Sequence, residues 1–438
     1  MSSKSKIVQV GLAILAFVLC IGMIYVTGRD NPDFADSIDY VTAARMLTEN
    51  GSYPAVGGLN FFRAPLYPLF MAGIWSLTGE SVFAVKIVQA LLHALTALMI
   101  FRTGKLLTGS MLVATIAGLL FAVNPFFVYQ AAAIQTEALQ TFVMTLALML
   151  TVSMVLSEEG LDLKTAACVG VAFGLGALCK NSPLGVCLVF AVAIAILCFR
   201  RKNSFAAPAL MVITMLLTIL PWTFYNWQTR GEFILINDSS GFVAWIGNHP
   251  ANIRIYEGKF ESREETQQYQ DYMGKTLAAE QVAEWERTKG YSGLSFKERE
   301  SLWRQQAIEN AKADPGVTAK LMGWKLIAFW RPWLSADVYS ANGMLISAAM
   351  LIPLLVLGFY GLLIASKQPR LKIVVILYVI MLLFLTVLHA ALVSTMRLRL
   401  PSVDPVLTVF AAIAIVALLS RFAKERIDSL NRFLEGSH

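Results

Sequence analysis

The chain is short of charge. Asp, Glu, Lys and Arg make up 15% of its 438 residues, against about 25% in soluble globular proteins. With 57% hydrophobic residues and a mean hydropathy of +0.61, there is too little polar surface for a water-soluble domain. Cysteine is equally sparse. Cys20, Cys168, Cys179, Cys187 and Cys198 all lie within apolar stretches, and none forms a C-x-x-C pair. That argues against a disulfide framework or a zinc site and makes them small buried hydrophobes. Also missing are a P-loop, a Ser-His-Asp set, a zinc-ligand spacing, an internal repeat and a low-complexity segment.

What the chain does have is a series of apolar runs of roughly 18 residues or more, the mark of membrane-spanning helices. The expected fold is an all-α polytopic membrane protein, a single membrane domain over 1–438. About ten spans are expected, at 7–26, 82–101, 112–128, 131–156, 165–179, 184–199, 205–225, 344–365, 373–393 and 401–419. The first follows Lys4 and Lys6 but is long for a signal peptide and lacks a small-residue cleavage site, so it reads as a retained helix. The apolar run 65–77 is short and suits a re-entrant or interfacial helix. Residues 317–333 mix apolar and basic side chains with three tryptophans, which is interfacial behaviour. A large polar region, 226–341, is inserted between the seventh and eighth spans, with a charged, helical run at 261–312.

The net charge of +7 does not indicate nucleic acid, because the basic residues concentrate in short loops between spans. With the N-terminus inside, the inner segments carry Arg102 and Lys105, Lys164, Arg200-Arg201-Lys202, Lys367 with Arg370 and Lys372, and Arg421 with Lys424 and Arg426. Both ends are then cytoplasmic. Only the acidic stretch 157–164 dissents, and acids count little in this rule. The same arrangement puts Asp36, Asp39, Arg63, Glu137, Lys180, Arg230, His249, Arg331, Arg397 and Arg399 on the outer side. Ionisable groups at the ends of apolar segments are costly unless they pair or face a wet cavity. A polar site on the outer face is expected.

The first outer loop, 28–65, carries most of the signals. Asp36 and Asp39 are spaced to share one face of an amphipathic helix at 37–49. Such a pair can bind a divalent metal or supply a general base, and Asp36 equally fits the N-cap of that helix. A Gly57-Gly58 link leads to Arg63, whose guanidinium suits bidentate contact with phosphate or interfacial snorkelling. Farther on, Glu137 follows Gln135-Thr136 near the start of a span. Lys180 ends the fifth span, and Arg397 and Arg399 precede the tenth. All three cationic positions run against the orientation bias and are candidates for an anionic ligand. His249 sits in the turn Gly247-Asn248-His249-Pro250.

The ordered set resembles the GT-C glycosyltransferases, the group that includes protein O-mannosyltransferases and lipid A aminoarabinose transferases. The matching stretches are Asp36-Ser37-Ile38-Asp39-Tyr40 with Ala43-Ala44, then Arg63-Ala64-Pro65-Leu66-Tyr67-Pro68, then Asn124-Pro125 with Thr136-Glu137. They continue with Pro221-Trp222, Asn226, Gly231, Gly247-Asn248-His249-Pro250, and Arg397-Leu398-Arg399-Leu400-Pro401 with Pro405. The resemblance covers about 30–419. Two positions depart from it: Tyr225 stands in place of the usual arginine, and His249 in place of a second asparagine.

The resemblance implies a sugar donor linked to a polyprenyl phosphate and direct displacement with inversion. Asp36 would be the base, with Arg63, Lys180, Arg397 and Arg399 competing to hold the phosphate. Asp39 and Glu137 are candidates for sugar or metal contacts. Tyr40, Tyr67, Asn226, Asn248 and His249 are candidates for acceptor or loop contacts. Some relatives use a divalent ion and some do not, so a divalent metal on Asp39, Glu137 and His249 stays open. The expected partners are the lipid-linked donor, membrane lipid and an unidentified lipid, glycan or protein acceptor. The expected location is the inner (plasma) membrane with the site on its periplasmic face. A transporter or flippase of an anionic lipid-linked sugar, and a polymerase or ligase of lipid-linked glycans, are the alternatives.

Overall fold

The computed structural model describes residues 3–31, 35–53, 63–237, 239–257, 262–289, 294–334 and 341–435. The Gly57-Gly58 link lies outside the described residues. Within them, all regular structure is helical. The first part of the chain gives α1 (Ser3–Thr27), α2 (Ala35–Asn50), α3 (Leu66–Thr78), α4 (Val82–Thr108), α5 (Met111–Ala122), α6 (Pro125–Ala132), α7 (Glu137–Val155), α8 (Leu163–Cys179), α9 (Ser182–Arg201) and α10 (Ala206–Arg230). The polar region gives α11 (Ser240–Asn248), α12 (Ile253–Glu257), α13 (Arg263–Asp271), α14 (Leu277–Lys289), α15 (Phe296–Ala313) and α16 (Pro315–Trp330). The chain closes with α17 (Ala341–Ser366), α18 (Lys372–Ala391), the short α19 (Met396–Arg399) and α20 (Asp404–Glu435).

Among the described residues, eight helices are long and apolar enough to cross a membrane: α1, α4, α7, α9, α10, α17, α18 and α20. The run expected as one span at 112–128 is instead the pair α5 and α6, bent by 53°, and counts as a ninth only if the pair is taken together. The bend has a local cause. Asn124 caps α6, accepting from the Phe126 N–H, and Pro125 takes the first helical position, where its missing N–H costs nothing. The expected span at 165–179 is α8, whose 17 residues make a helix of about 25 Å, short of the ~30 Å hydrocarbon layer. The expected span 131–156 starts later, at Glu137, because 133–136 leave the helix.

Polar caps set the other boundaries. Ser81 and Ser110 accept from backbone N–H groups of Ala84 and Val113 at the starts of α4 and α5, and Gly109 ends α4 in the left-handed conformation. Small residues let helices approach closely. A Cβ on Gly170 or Gly174 of α8 would overlap Met211, Thr214, Met215 or Thr218 of α10, and one on Gly361 of α17 would overlap the Phe410 carbonyl of α20. Without a strong hydrophobic drive inside lipid, this backbone-to-backbone packing supplies much of the adhesion. Apolar side chains that remain exposed, such as Val18, Leu363 and Val387, face outward where lipid would lie.

The 226–341 region has a small core of its own. Trp245, Trp285 and Trp303 meet there, with Trp303 ring centroids 4.3 Å from Trp245 and 4.6 Å from Trp285. Glu300, nearly fully buried, accepts from the Gly241 and Phe242 N–H groups and satisfies the start of α11. The cysteines are all free. Four are buried as expected, but Cys168 is exposed on the outside of α8.

Candidate functional site

Five separate pieces of chain converge at one end of the bundle. The N-terminus of α2 brings Asp36 and Asp39, and the stretch before α3 brings Arg63. The head of α7 brings Glu137, the end of α8 brings Lys180, and α19 brings Arg397. Each is fixed by local bonding. Ser37 Oγ donates to the Ile134 carbonyl at 2.8 Å and pins the start of α2 to the 133–136 break. Gln89, fully buried in α4, donates to the carbonyls of Ala131 (3.0 Å) and Ala133 (2.8 Å) and so holds the same break open. Its Oε1 accepts from the Tyr67 hydroxyl at 2.6 Å, and the Tyr67 ring meets Tyr40 edge-on with centroids 5.0 Å apart. Tyr225 accepts from the Tyr53 N–H at 3.0 Å, and Tyr53 donates to the Arg63 carbonyl at 3.2 Å. The tyrosine that replaces the usual arginine thus ties the first loop to α10.

Arg63 donates from Nη2 to Asp36 Oδ1 at 2.7 Å, and from Nε and Nη2 to Asp39 Oδ2 at 3.1 and 2.9 Å. Arg397 donates from Nε to Glu137 Oε1 at 2.6 Å and from Nη1 to Asp36 Oδ2 at 3.1 Å. Lys180 Nζ lies 3.5 Å from Glu137 Oε1. Asp36 is therefore bridged by two guanidinium groups, one on each oxygen. It sits in the first turn of α2, not at its N-cap. Glu137 is fully buried, while Asp36, Asp39, Arg63, Arg397 and Lys180 keep about a third of their side-chain surface exposed. The site is open to solvent on one side and closed on the other.

Burial works against charge in this setting, and the pairing overrides it. For Asp36, burial favours the neutral acid, yet Arg63 and Arg397 together hold its carboxyl below the ordinary aspartate range. For Arg397, burial disfavours the cation, and Glu137 and Asp36 more than restore it. Tyr40 is pushed up by burial, so it stays a neutral hydroxyl beside Arg63, whose guanidinium lies 5.2 Å from its ring.

Four expected site residues do not join this cluster. Arg399, two positions from Arg397, points to the opposite side. It is fully buried, donates to Asp404 at 2.9 and 3.1 Å and to the Phe329 carbonyl at 2.9 Å, and so holds α16, α19 and α20 together. Its charge is taken up by Asp404, away from the other cationic candidates. Asn226 is fully buried and donates to the Ile234 and Ile236 carbonyls, closing the turn after α10. Asn248 donates to the Ala244 and Ala391 carbonyls and accepts from Lys325 at 2.7 Å. His249 accepts from the Ala251 N–H through Nδ1 and packs edge-on against Trp245. These bonds shape the loop and leave the acceptor roles expected of those residues without structural support.

The same contacts bear on a divalent ion. Among the described residues, no three His, Cys, Asp or Glu side chains gather where they could share an ion. Asp36, Asp39 and Glu137 are each bonded to arginine, and His249 is bonded elsewhere. A divalent ion would have to displace both guanidinium groups to reach a carboxylate set, so the arrangement does not fit one.

Sequence reasoning missed Ser37, Gln89 and the Tyr53–Tyr225 link. The one available signal was Gln89, an amide in the middle of an apolar span, which needs partners there.

Over residues 63–225 the chain matches the sequence model of the dolichyl-phosphate-mannose-protein mannosyltransferase family. No curated protein sequence matches it. Its fold is similar to that of the oligosaccharyltransferase AglB from Archaeoglobus fulgidus, solved with an inhibitory peptide and a dolichol-phosphate, at a TM-score of 0.56 and 14% identity. That likeness covers 97% of this chain and 52% of the archaeal protein. The apo form of the archaeal enzyme gives a TM-score of 0.54 at 13% identity, over 97% and 52% of the two chains. ArnT from Cupriavidus metallidurans bound to undecaprenyl phosphate is similar at a TM-score of 0.43 and 15% identity, over 97% and 80%. The chain spans about half the length of the archaeal structures. The likeness to the archaeal structures is one of fold, and the eight long apolar helices make the chain a multi-pass membrane protein.

Proposed function

We propose that the chain is an integral membrane glycosyltransferase. It moves a sugar from a polyprenyl-phosphate-linked donor to an acceptor on the periplasmic face of the inner membrane, with inversion at the anomeric carbon. The observation that carries this reading is Asp36 bridged by Arg63 and Arg397. One open site at the edge of an apolar bundle holds a carboxylate for a proton and two guanidinium groups for a phosphate. The match to a dolichyl-phosphate-dependent family over 63–225, the segment that holds Arg63, Glu137 and Lys180, supports a lipid phosphate as the donor's carrier.

In this reading the Asp36 carboxylate takes the proton from the acceptor's hydroxyl or amine. The freed electron pair forms the bond to the anomeric carbon. The bond from that carbon to the phosphate oxygen breaks, and its electrons leave with the polyprenyl phosphate. Arg63, Arg397 and Lys180 stabilise the charge that grows on that phosphate, the largest electrostatic service available to such a site. Asp39 holds Arg63 in place, and Glu137 holds Arg397 and Lys180. Tyr40 and Tyr67 set the floor beneath Arg63.

The test is to incubate purified protein with a polyprenyl-phosphate sugar and acceptor-containing membrane extract, and to follow release of polyprenyl phosphate. Asp36→Asn should lower turnover by roughly 10²–10⁴-fold, the usual share of a general base. Equal turnover in the two proteins would remove Asp36 from the mechanism.

A further inference from the structure

Three carboxylates and three cations meet in the site, and each cation has a carboxylate partner: Arg63 with Asp36 and Asp39, Arg397 with Asp36 and Glu137, and Lys180 with Glu137. The cluster is neutral as it stands. Among the described residues of the cluster, no guanidinium is without a counter-charge. A phosphate that binds to these arginines meets cations whose charge a carboxylate already balances.

The pattern of those bonds is not uniform. Each arginine is fixed through Nε to a second carboxylate, Arg63 to Asp39 and Arg397 to the buried Glu137. Each reaches Asp36 through one terminal nitrogen, Nη2 of Arg63, which Asp39 also shares at 2.9 Å, and Nη1 of Arg397. Asp39 and Glu137 set where the guanidinium planes lie, and Asp36 accepts the outer arms. Among the described residues, Nη1 of Arg63 and Nη2 of Arg397 have no partner, and both side chains are partly exposed. An arriving phosphate can meet those free nitrogens first.

We infer that Asp36 is a place-holder for the donor phosphate, and that the outer arms of Arg63 and Arg397 pass from Asp36 to the phosphate during the reaction. The inference rests on the function proposed above. Its chemistry follows from charge. A sugar linked to a polyprenyl phosphate is a phosphodiester with one negative charge. The departing polyprenyl phosphate is a monoester that gains a second. As the carbon–oxygen bond breaks, the phosphate becomes the better acceptor. As Asp36 takes the acceptor's proton, it becomes neutral and the worse one. Both changes move the same two arms in the same direction. The arms bind the transition state more tightly than the ground state, which is what raises a rate. Before the donor arrives, the two arginines hold Asp36 ionised and occupied, so the base is quiet.

The test is binding of the product alone, polyprenyl phosphate in detergent micelles, measured by calorimetry on the full chain. Asp36→Asn mimics the neutral acid at the same size. It should bind polyprenyl phosphate about tenfold or more tightly than wild type, although its turnover is lower; tenfold corresponds to about 1.4 kcal/mol. Asp36→Ala, which removes the competing acceptor entirely, should tighten binding as well and guards against a badly paired amide. The gain should vanish in Asp36→Asn combined with Arg397→Ala. If both Asp36 variants bind as wild type does or more weakly, while Arg63→Ala and Arg397→Ala weaken binding, the hand-over is wrong and the phosphate site stands. If neither arginine variant changes binding, the phosphate lies elsewhere and the proposed function loses its donor site.

Discussion

Arg397 Nε lies 2.6 Å from Glu137 Oε1, across 260 positions of sequence. Glu137 heads a membrane-spanning helix with no exposed side-chain surface, and Arg397 comes from a four-residue helix near the other end of the chain. A carboxylate buried there would be intolerable alone. The pair fixes the wall of the site, and with Lys180 it ties α7, α8 and α19 into one rigid frame.

Breaking that frame should show in stability as well as activity. Glu137→Ala leaves Arg397 with Asp36 as its single carboxylate partner and Lys180 with none. We expect a loss of roughly 1–3 kcal/mol, the penalty for stripping a partner from a half-buried charge. The midpoint of thermal unfolding in detergent should fall, while Glu137→Gln, which keeps the shape and an acceptor oxygen, should fall less. Equal midpoints for all three proteins would mean that the frame does not depend on this carboxylate.

Arg399 and Asp404 should behave differently, because both are fully buried and distant in role from the donor. Asp404→Ala is expected to cost about 3–5 kcal/mol, as expected when one partner of a buried pair is lost. The protein that remains folded should bind polyprenyl phosphate with wild-type affinity. A binding defect without a stability defect would return Arg399 to the phosphate site.

Lys325 provides a pH signature. It is fully buried on α16, its ammonium meets only the neutral Asn248 side chain among the described residues, and burial brings its pKa down to about 8. The folded state therefore holds this proton less well than the unfolded chain, whose lysines titrate near pH 10.4. The penalty is full below pH 8, shrinks as pH rises, and is gone above the unfolded value. The unfolding midpoint of wild type, measured relative to Lys325→Met, should rise between about pH 8 and 10. A difference that stays constant across that window would show that the ammonium is solvated.

The α8–α10 contact tolerates no added side-chain volume at two positions. A Cβ on Gly170 meets the Met211 backbone carbonyl and the Thr214 hydroxyl, and one on Gly174 meets Thr218 and the Met215 carbonyl. Gly170→Ala should cost about 1–3 kcal/mol, the range for overpacking a tight contact. Gly73→Ala, whose new Cβ would meet nothing within 4 Å, should leave the unfolding midpoint in place. Similar losses at both glycines would mean that helix propensity or lipid contact, not this contact, sets the cost.

The sequence by itself determined the membrane class, the approximate spans and the short apolar helix before α4. Those follow from the length and period of apolar runs. It also marked Asp36, Arg63, Glu137, Lys180 and Arg397 as polar residues out of place. Only the tertiary structure decided which of them meet. Arg397 and Arg399 are indistinguishable by local pattern, yet side chains two apart on a helical turn point to opposite sides. One joins Asp36 and Glu137, and the other disappears into a pair with Asp404. Which partner a charge meets is set by how distant helices pack, which no short stretch of sequence records.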